Sequence, residues 1–261
     1  MMAARSLFVT LAALVLALVS SLPAFAERLV SAISAEEVKI SSNFTGADIL
    51  VFGEIGRDAA TVPRPGKYDI VVTVEGPPEQ VTTWRKERVF GLWINVNSKT
   101  YANVPSFYAA HSSSPLEEVS PDNILKQERT GLDNLPIAPV GIRFTNKEER
   151  EAFREAFLRE RVEDGLYAER FDAVEFLSPT LFATNVPLPA NIPTGTFTVT
   201  TFLYKDGVKL SEVEQTLSVA KTGFEQLTYS LAYEQPALYG IMAVILALFT
   251  GWMAGIIFRK N

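Results

Sequence analysis

The only histidine of the chain, His111, is followed directly by Ser112, Ser113 and Ser114. An imidazole beside hydroxyls is the raw material of a serine hydrolase, where histidine takes the nucleophile's proton. The segment lacks the Gly-x-Ser-x-Gly turn that presents such a serine, and a serine next to its base in an extended loop rarely has the geometry for attack. His111 therefore reads as a solvated loop histidine. Acid pairs occur at Glu36-Glu37, Glu117-Glu118 and Glu148-Glu149. A glycosidase needs two carboxyls facing one sugar, whereas sequence neighbours point apart, so these read as solvated faces. With no cysteine, no His-Glu-x-x-His and no calcium or phosphate loop, the sequence offers no metal or cofactor site. Asn43-Phe44-Thr45 matches the short glycosylation acceptor pattern and reads as an accidental match. The expectation is a protein that is not an enzyme.

One basic cluster stands out, Trp84-Arg85-Lys86-Glu87-Arg88. Trp84, Arg85, Lys86 and Arg88 form a candidate surface for an anion or an acidic partner, aided by cation–π contact. The plainer reading is an edge strand that uses Lys and Arg against aggregation. Elsewhere acid dominates, with a net charge of −6 over 261 residues. Such a surface argues against nucleic acid or anionic lipid as a partner, since both need basic patches.

The two ends set where these residues work. Residues 1–26 read as a secretory signal: Arg5 is the positive n-region, Leu7 to Val19 the apolar run, and Ala24-Phe25-Ala26 the cleavage site. Residues 236–258 carry no charge, long enough to cross a ~30 Å hydrocarbon core. Arg259-Lys260 follow at once, which orients residues 259–261 to the cytoplasm and 27–228 to the periplasm of a bacterial inner-membrane, single-pass protein. Tyr229, Tyr233 and Tyr239 cluster at the outer boundary. Within the span, Ala243, Ala247, Gly251 and Gly255 recur at four-residue spacing, a ridge along which another helix can approach closely. The partner would be a second copy or another membrane protein.

The exported part reads as mainly β. Glu37 to Ser41, Asp48 to Ile55, Tyr68 to Val74 and Phe90 to Val96 show strand patterning, separated by Gly56, Pro63-Arg64-Pro65-Gly66, Gly76-Pro77-Pro78 and Asn97-Ser98. Asp48 to Ile55 is apolar on both faces, as in a central strand. A helical insertion at about 115–168 includes a short helix after Ser120-Pro121 and an amphipathic helix at 147–163. β patterning returns at Phe171 to Phe176 and Leu181 to Val186. Asp206-Gly207 then marks a long hairpin that requires a bulge. The fold expected is an immunoglobulin-like β-sandwich ectodomain with a C-terminal transmembrane helix.

Several short stretches, taken together, resemble the alphaproteobacterial transmembrane family Alph_Pro_TM. Among them are Leu50-Val51-Phe52-Gly53, Arg88-Val89-Phe90-Gly91-Leu92-Trp93-Ile94-Asn95, Val104-Pro105-Ser106-Phe107-Tyr108 and Leu238-Tyr239-Gly240 leading to Gly251-Trp252. The resemblance implies an envelope protein with a signal and a C-terminal span, without an assigned activity. Members are often encoded beside sulfite-exporter-type permeases, which suggests an accessory role and a permease as partner. The second function class is a tethered binding module for a small anion or envelope polymer, using Trp84 to Arg88 and the aromatic stretch Tyr101 to Tyr108.

Overall fold

The computed structural model describes residues 28–56, 67–140, 147–222 and 224–257. The proposed signal, the turn at Pro63 to Gly66 and the tail Arg259-Lys260 lie outside the described residues. The β body begins with β1 (Arg28–Ile33), β2 (Glu37–Ile40), β3 (Gly46–Gly56) and β4 (Tyr68–Glu75). It continues through β5 (Pro78–Val89), β6 (Leu92–Pro105) and β7 (Tyr108–Ser112). After a helical segment come β8 (Tyr167–Arg170), β9 (Glu175–Phe176), β10 (Leu181–Pro189), β11 (Gly195–Lys205) and β12 (Val208–Lys221).

The strands form two curled sheets and a ribbon. One sheet runs β1-β3-β10-β9, the other β2-β12-β11-β4-β7-β8, and β5-β6 form a two-stranded ribbon whose base bridges to Pro139 through Tyr101. Ile49, Val51, Phe182 and Val186 from the first sheet meet Ile70, Val72, Phe197 and Leu203 from the second in one shared core. Alternation on β3 decides which side is buried: Ile49, Val51 and Ile55 face inward. The opposite face of β3 is not covered, since Leu50 and Phe52 stay 42% and 39% exposed. The two-sided burial expected of that strand is thus corrected to one side.

The β11–β12 hairpin turns at Asp206-Gly207, with φ of +50° and +83°, and its register shifts at Leu203/Tyr204. Turn and bulge both follow the sequence pattern.

Between β7 and β8 lie α1 (Leu116–Val119), α2 (Asp122–Gln127), a 3₁₀ turn (Leu132–Asn134) and α3 (Lys147–Glu163). α3 is mostly charged, and it docks through Phe153 and Phe157. Phe157 packs its ring 5.1 Å from Tyr101 and 6.0 Å from Tyr167. The Arg154 guanidinium donates to the carbonyls of Leu132, Asp133 and Leu135, satisfying a bend with no other helix to cap it. Aromatic packing thus ties α3 to the body, while the charge-assisted hydrogen bonds of Arg154 tie it to the preceding turn of the same insertion.

The chain then passes into α4 (Phe224–Glu234) and α5 (Pro236–Ile257). A helix stands where the pattern suggests only a short connector. α5 is 22 residues long with a mean hydropathy of 2.2, and none of that apolar stretch is buried by the rest of the molecule. At ~1.5 Å per residue it is about 33 Å long, enough to cross a bilayer. The described residues contain this one helix of sufficient length and apolarity.

A candidate interaction site on a projecting hairpin and an uncovered helix

The candidate residues fall into four places, and the fold keeps them apart. His111 sits in the middle of β7 and is 1% exposed. This corrects the solvated-loop reading: β7 lies inside the six-stranded sheet between β4 and β8, and its ring faces the shared core. Its Nδ1 is 2.9 Å from Thr184 Oγ1, whose own proton goes to the Ala173 carbonyl. Nδ1 is therefore the donor, and Nε2 is a buried lone pair with no hydrogen-bond partner among the described residues. The neighbouring hydroxyls are committed elsewhere. Ser113 and Ser114 donate to the Asp69 carboxylate at 2.9 and 2.7 Å, and Ser112 donates to the Ser114 carbonyl. None of these three hydroxyls donates to the His111 ring.

Burial, and secondarily Arg170, lowers the His111 pKa to about 4. The unfolded imidazole takes a proton near pH 6.5 while the native one resists it, so stability is full above about 6.5 and lost as pH falls toward 4. The loss is on the order of 3 kcal/mol. Glu75 and Glu169, raised chiefly by burial, act in the opposite sense. His111→Gln is expected to flatten the decline between pH 6.5 and 4, measured as the wild-type-minus-variant difference in urea midpoints.

The aromatic stretch Tyr101 to Tyr108 is not a surface. Tyr101, Phe107 and Tyr108 are at most 2% exposed and belong to the core. Tyr108 Oη accepts from Gly131 N–H at 2.8 Å, fastening the insertion.

Trp84, Arg85, Lys86 and Arg88 lie on β5, in the half of the ribbon that leaves the body. Its base is anchored: Tyr101 and Val104 are in the core, Lys99 pairs with Glu149 of α3 at 3.3 Å, and Arg161 pairs with Glu79. Beyond Asn97, whose side chain donates to Glu149 at 2.7 Å, the ribbon stands alone. Two expectations are corrected here. Asn97-Ser98 is not a turn but lies within β6, at a register shift that absorbs an extra residue. Phe90 to Val96 is not a core strand, since the ribbon reaches past the body and leaves both its faces in solvent. Trp84, Lys86 and Arg88 alternate on one face, and Arg88 lies opposite Trp93. Arg85 pairs with Glu87, while Lys86 and Arg88 make no ion pair among the described residues.

Ala243, Ala247, Gly251 and Gly255 are exposed along α5, and a Cβ built at Gly251 or Gly255 meets nothing within 4 Å. The ridge is open to whatever lies beside the helix. A family model described as "Putative transmembrane protein" (Alph_Pro_TM) matches residues 28–260, the β body and the apolar helix together. The chain belongs to the Alph_Pro_TM family. No curated protein matches it. This Alph_Pro_TM member is accordingly a membrane-anchored, β-rich protein with one candidate span.

One further concavity belongs to this Alph_Pro_TM chain. A cleft of about 350 Å³ lies where β4 ends, lined by Glu75, Asn103 and Arg129 among others. Burial raises the Glu75 pKa, and Arg129 offsets part of that rise. Among the described residues no three His, Asp or Glu side chains converge in a way that could hold a metal ion.

Proposed function

We propose that this protein is a non-enzymatic accessory subunit, whose β-rich periplasmic domain is held beside an inner-membrane transporter by its single span. The observation that carries this reading is the open surface of α5. A 22-residue apolar helix touches none of the body's core, yet carries Ala243, Ala247, Gly251 and Gly255 in register. Helices in lipid gain association energy by close van der Waals approach, and a ridge of alanine and glycine permits it. A sulfite-exporter-type permease fits the partner role suggested by the family resemblance. The strand orders also support an immunoglobulin-like arrangement of variable type. β1-β3-β10-β9 corresponds to A-B-E-D, and β12-β11-β4-β7 to G-F-C-C′.

Gly251→Leu is expected to abolish co-purification of that partner in mild detergent while leaving the protein's own yield and thermal transition unchanged. Association that survives the substitution would count against the ridge. A second reading, a tethered binding module, is favoured by the cleft between Glu75 and Arg129 rather than by the Trp84–Arg88 cluster. Recovery of the protein with no companion would turn attention to small anions in that cleft.

A further inference from the structure

The tip of the β5–β6 hairpin is accounted for by neither the core nor the span. The strands meet in a two-residue turn, Phe90-Gly91, with φ of +49° and +84°. Both angles are left-handed, as a hairpin turn of this length requires. At Asp206-Gly207 the same geometry is filled by residues suited to it. At Phe90 it is filled by a bulky aromatic residue, for which the conformation costs on the order of 1–2 kcal/mol. The ring gains nothing in return from the other described residues, being 102% exposed. Beside it Leu92 and Trp93 are each 70% exposed and Ile94 44%. A strained backbone holding apolar side chains at the outermost point of a ribbon is a device for contact.

Two features choose the occupant. The first is area: two rings of ~150–250 Å² each, Phe90 fully exposed and Trp93 mostly so, offer about 250–400 Å². That is short of the ~800 Å² per partner of an ordinary protein interface, but a lipid interface asks only for a few rings at headgroup depth. The second is charge. On an otherwise acidic chain, Arg85, Lys86 and Arg88 stand two to five residues behind Phe90, roughly 7–16 Å along a strand, and leave a net positive charge after Arg85 pairs with Glu87. That is the depth at which headgroup phosphates meet a shallowly inserted tip, and basic side chains there are drawn to anionic lipid.

We propose that residues Val89 to Ile94 insert into the interfacial layer of an anionic bilayer, with Arg85, Lys86 and Arg88 against the headgroup phosphates. The inference rests on α5 anchoring the chain, because a weak second contact becomes effective once the first has fixed the local concentration. It does not need a partner protein.

The chain has three tryptophans, so Trp84→Phe with Trp252→Phe leaves Trp93 as the sole reporter, three residues from the tip. Full-length protein is reconstituted into phosphatidylcholine vesicles with and without phosphatidylglycerol, carrying lipid brominated high on the acyl chain. Trp93 emission is expected to shift blue and to be quenched by the brominated lipid, more strongly with phosphatidylglycerol. Phe90→Asn, which suits the turn, is expected to abolish both effects while the thermal transition stays or rises. Replacing Arg85, Lys86 and Arg88 with Gln is expected to remove the phosphatidylglycerol dependence. Trp93 that remains open to an aqueous quencher in vesicles overturns the proposal, including when it becomes protected in native membranes, which would assign the tip to a protein. Retention after alkaline extraction reports α5 anchoring separately, so its failure and that of the hairpin are distinguishable.

Discussion

Phe157→Ala is expected to lower the stability of the β body by about 3–5 kcal/mol, seen as a much earlier thermal transition of the full chain in mild detergent. Phe157 is 1% exposed, and it is the residue by which a largely charged helix joins the shared core, with Leu158 packed against that core beside it. It contacts Tyr101 from the ribbon's base and Tyr167 from β8, while the Arg161 guanidinium lies 5.4 Å over its face. Truncation would open a cavity between three elements that cannot collapse together, since each is held by its own backbone ladder. Loss of α3 protection in hydrogen exchange before the sheets open would locate the damage. A shift below about 1 kcal/mol would show that α3 is held by its Arg154 and Glu149 bonds instead.

Gly53→Ala is expected to have an effect of similar size by the opposite mechanism. A Cβ at position 53 would lie 2.3 Å from the Val30 carbonyl oxygen and 2.6 Å from the Phe182 ring. The first is backbone of β1, so the strand itself must move; the second is a fully buried ring with nowhere to go. Overpacking of this kind costs about 3 kcal/mol, the upper end for a single methyl group. The measurement is the denaturant midpoint, with Gly91→Ala as a comparison: there a Cβ meets open space, and only the turn geometry is strained. Equal midpoints for the two variants would refute the close-approach argument.

What was legible in the sequence was local. Asp206-Gly207 announces its turn because few other pairs accept two left-handed residues, and the strand lengths around it demanded the bulge. The α3 pattern, Phe153 and Phe157 among charges, is a one-sided helix whatever it packs on. The apolar span declares itself by length. The candidate site was less legible, for a reason visible at Phe90. Period-two apolar patterning is identical in a strand covered by a sheet and in a ribbon that leaves the body, so Phe90, Leu92 and Ile94 read as core. Only the lack, among the described residues, of a further pairing partner for the outer half of β5 and β6 distinguishes them, and that is a fact of the whole fold. The signal that was present, Phe-Gly between two strands, resembles a hairpin turn only if one accepts an unfavourable residue there. His111 was misplaced similarly: its burial depends on Thr184, 73 residues away. Tyr101 to Tyr108 is rich in rings that suit a binding surface, yet the same rings supply much of the core that holds the ribbon's base.

The parallel pairing of β2 with β12 has a mechanical consequence. Register runs from Glu37 against Ser218 to Ile40 against Lys221, at the end of the strand nearest the membrane anchor. Tension arriving through α5 and α4 enters the body at that end of β12 and runs along the strand, across hydrogen bonds that lie side by side. Those bonds are loaded in shear and must yield together, rather than parting one after another as in a peeled hairpin. A chain tethered at one end and gripped elsewhere, whether by lipid or by a partner, thus meets a pull with its most collectively resistant edge.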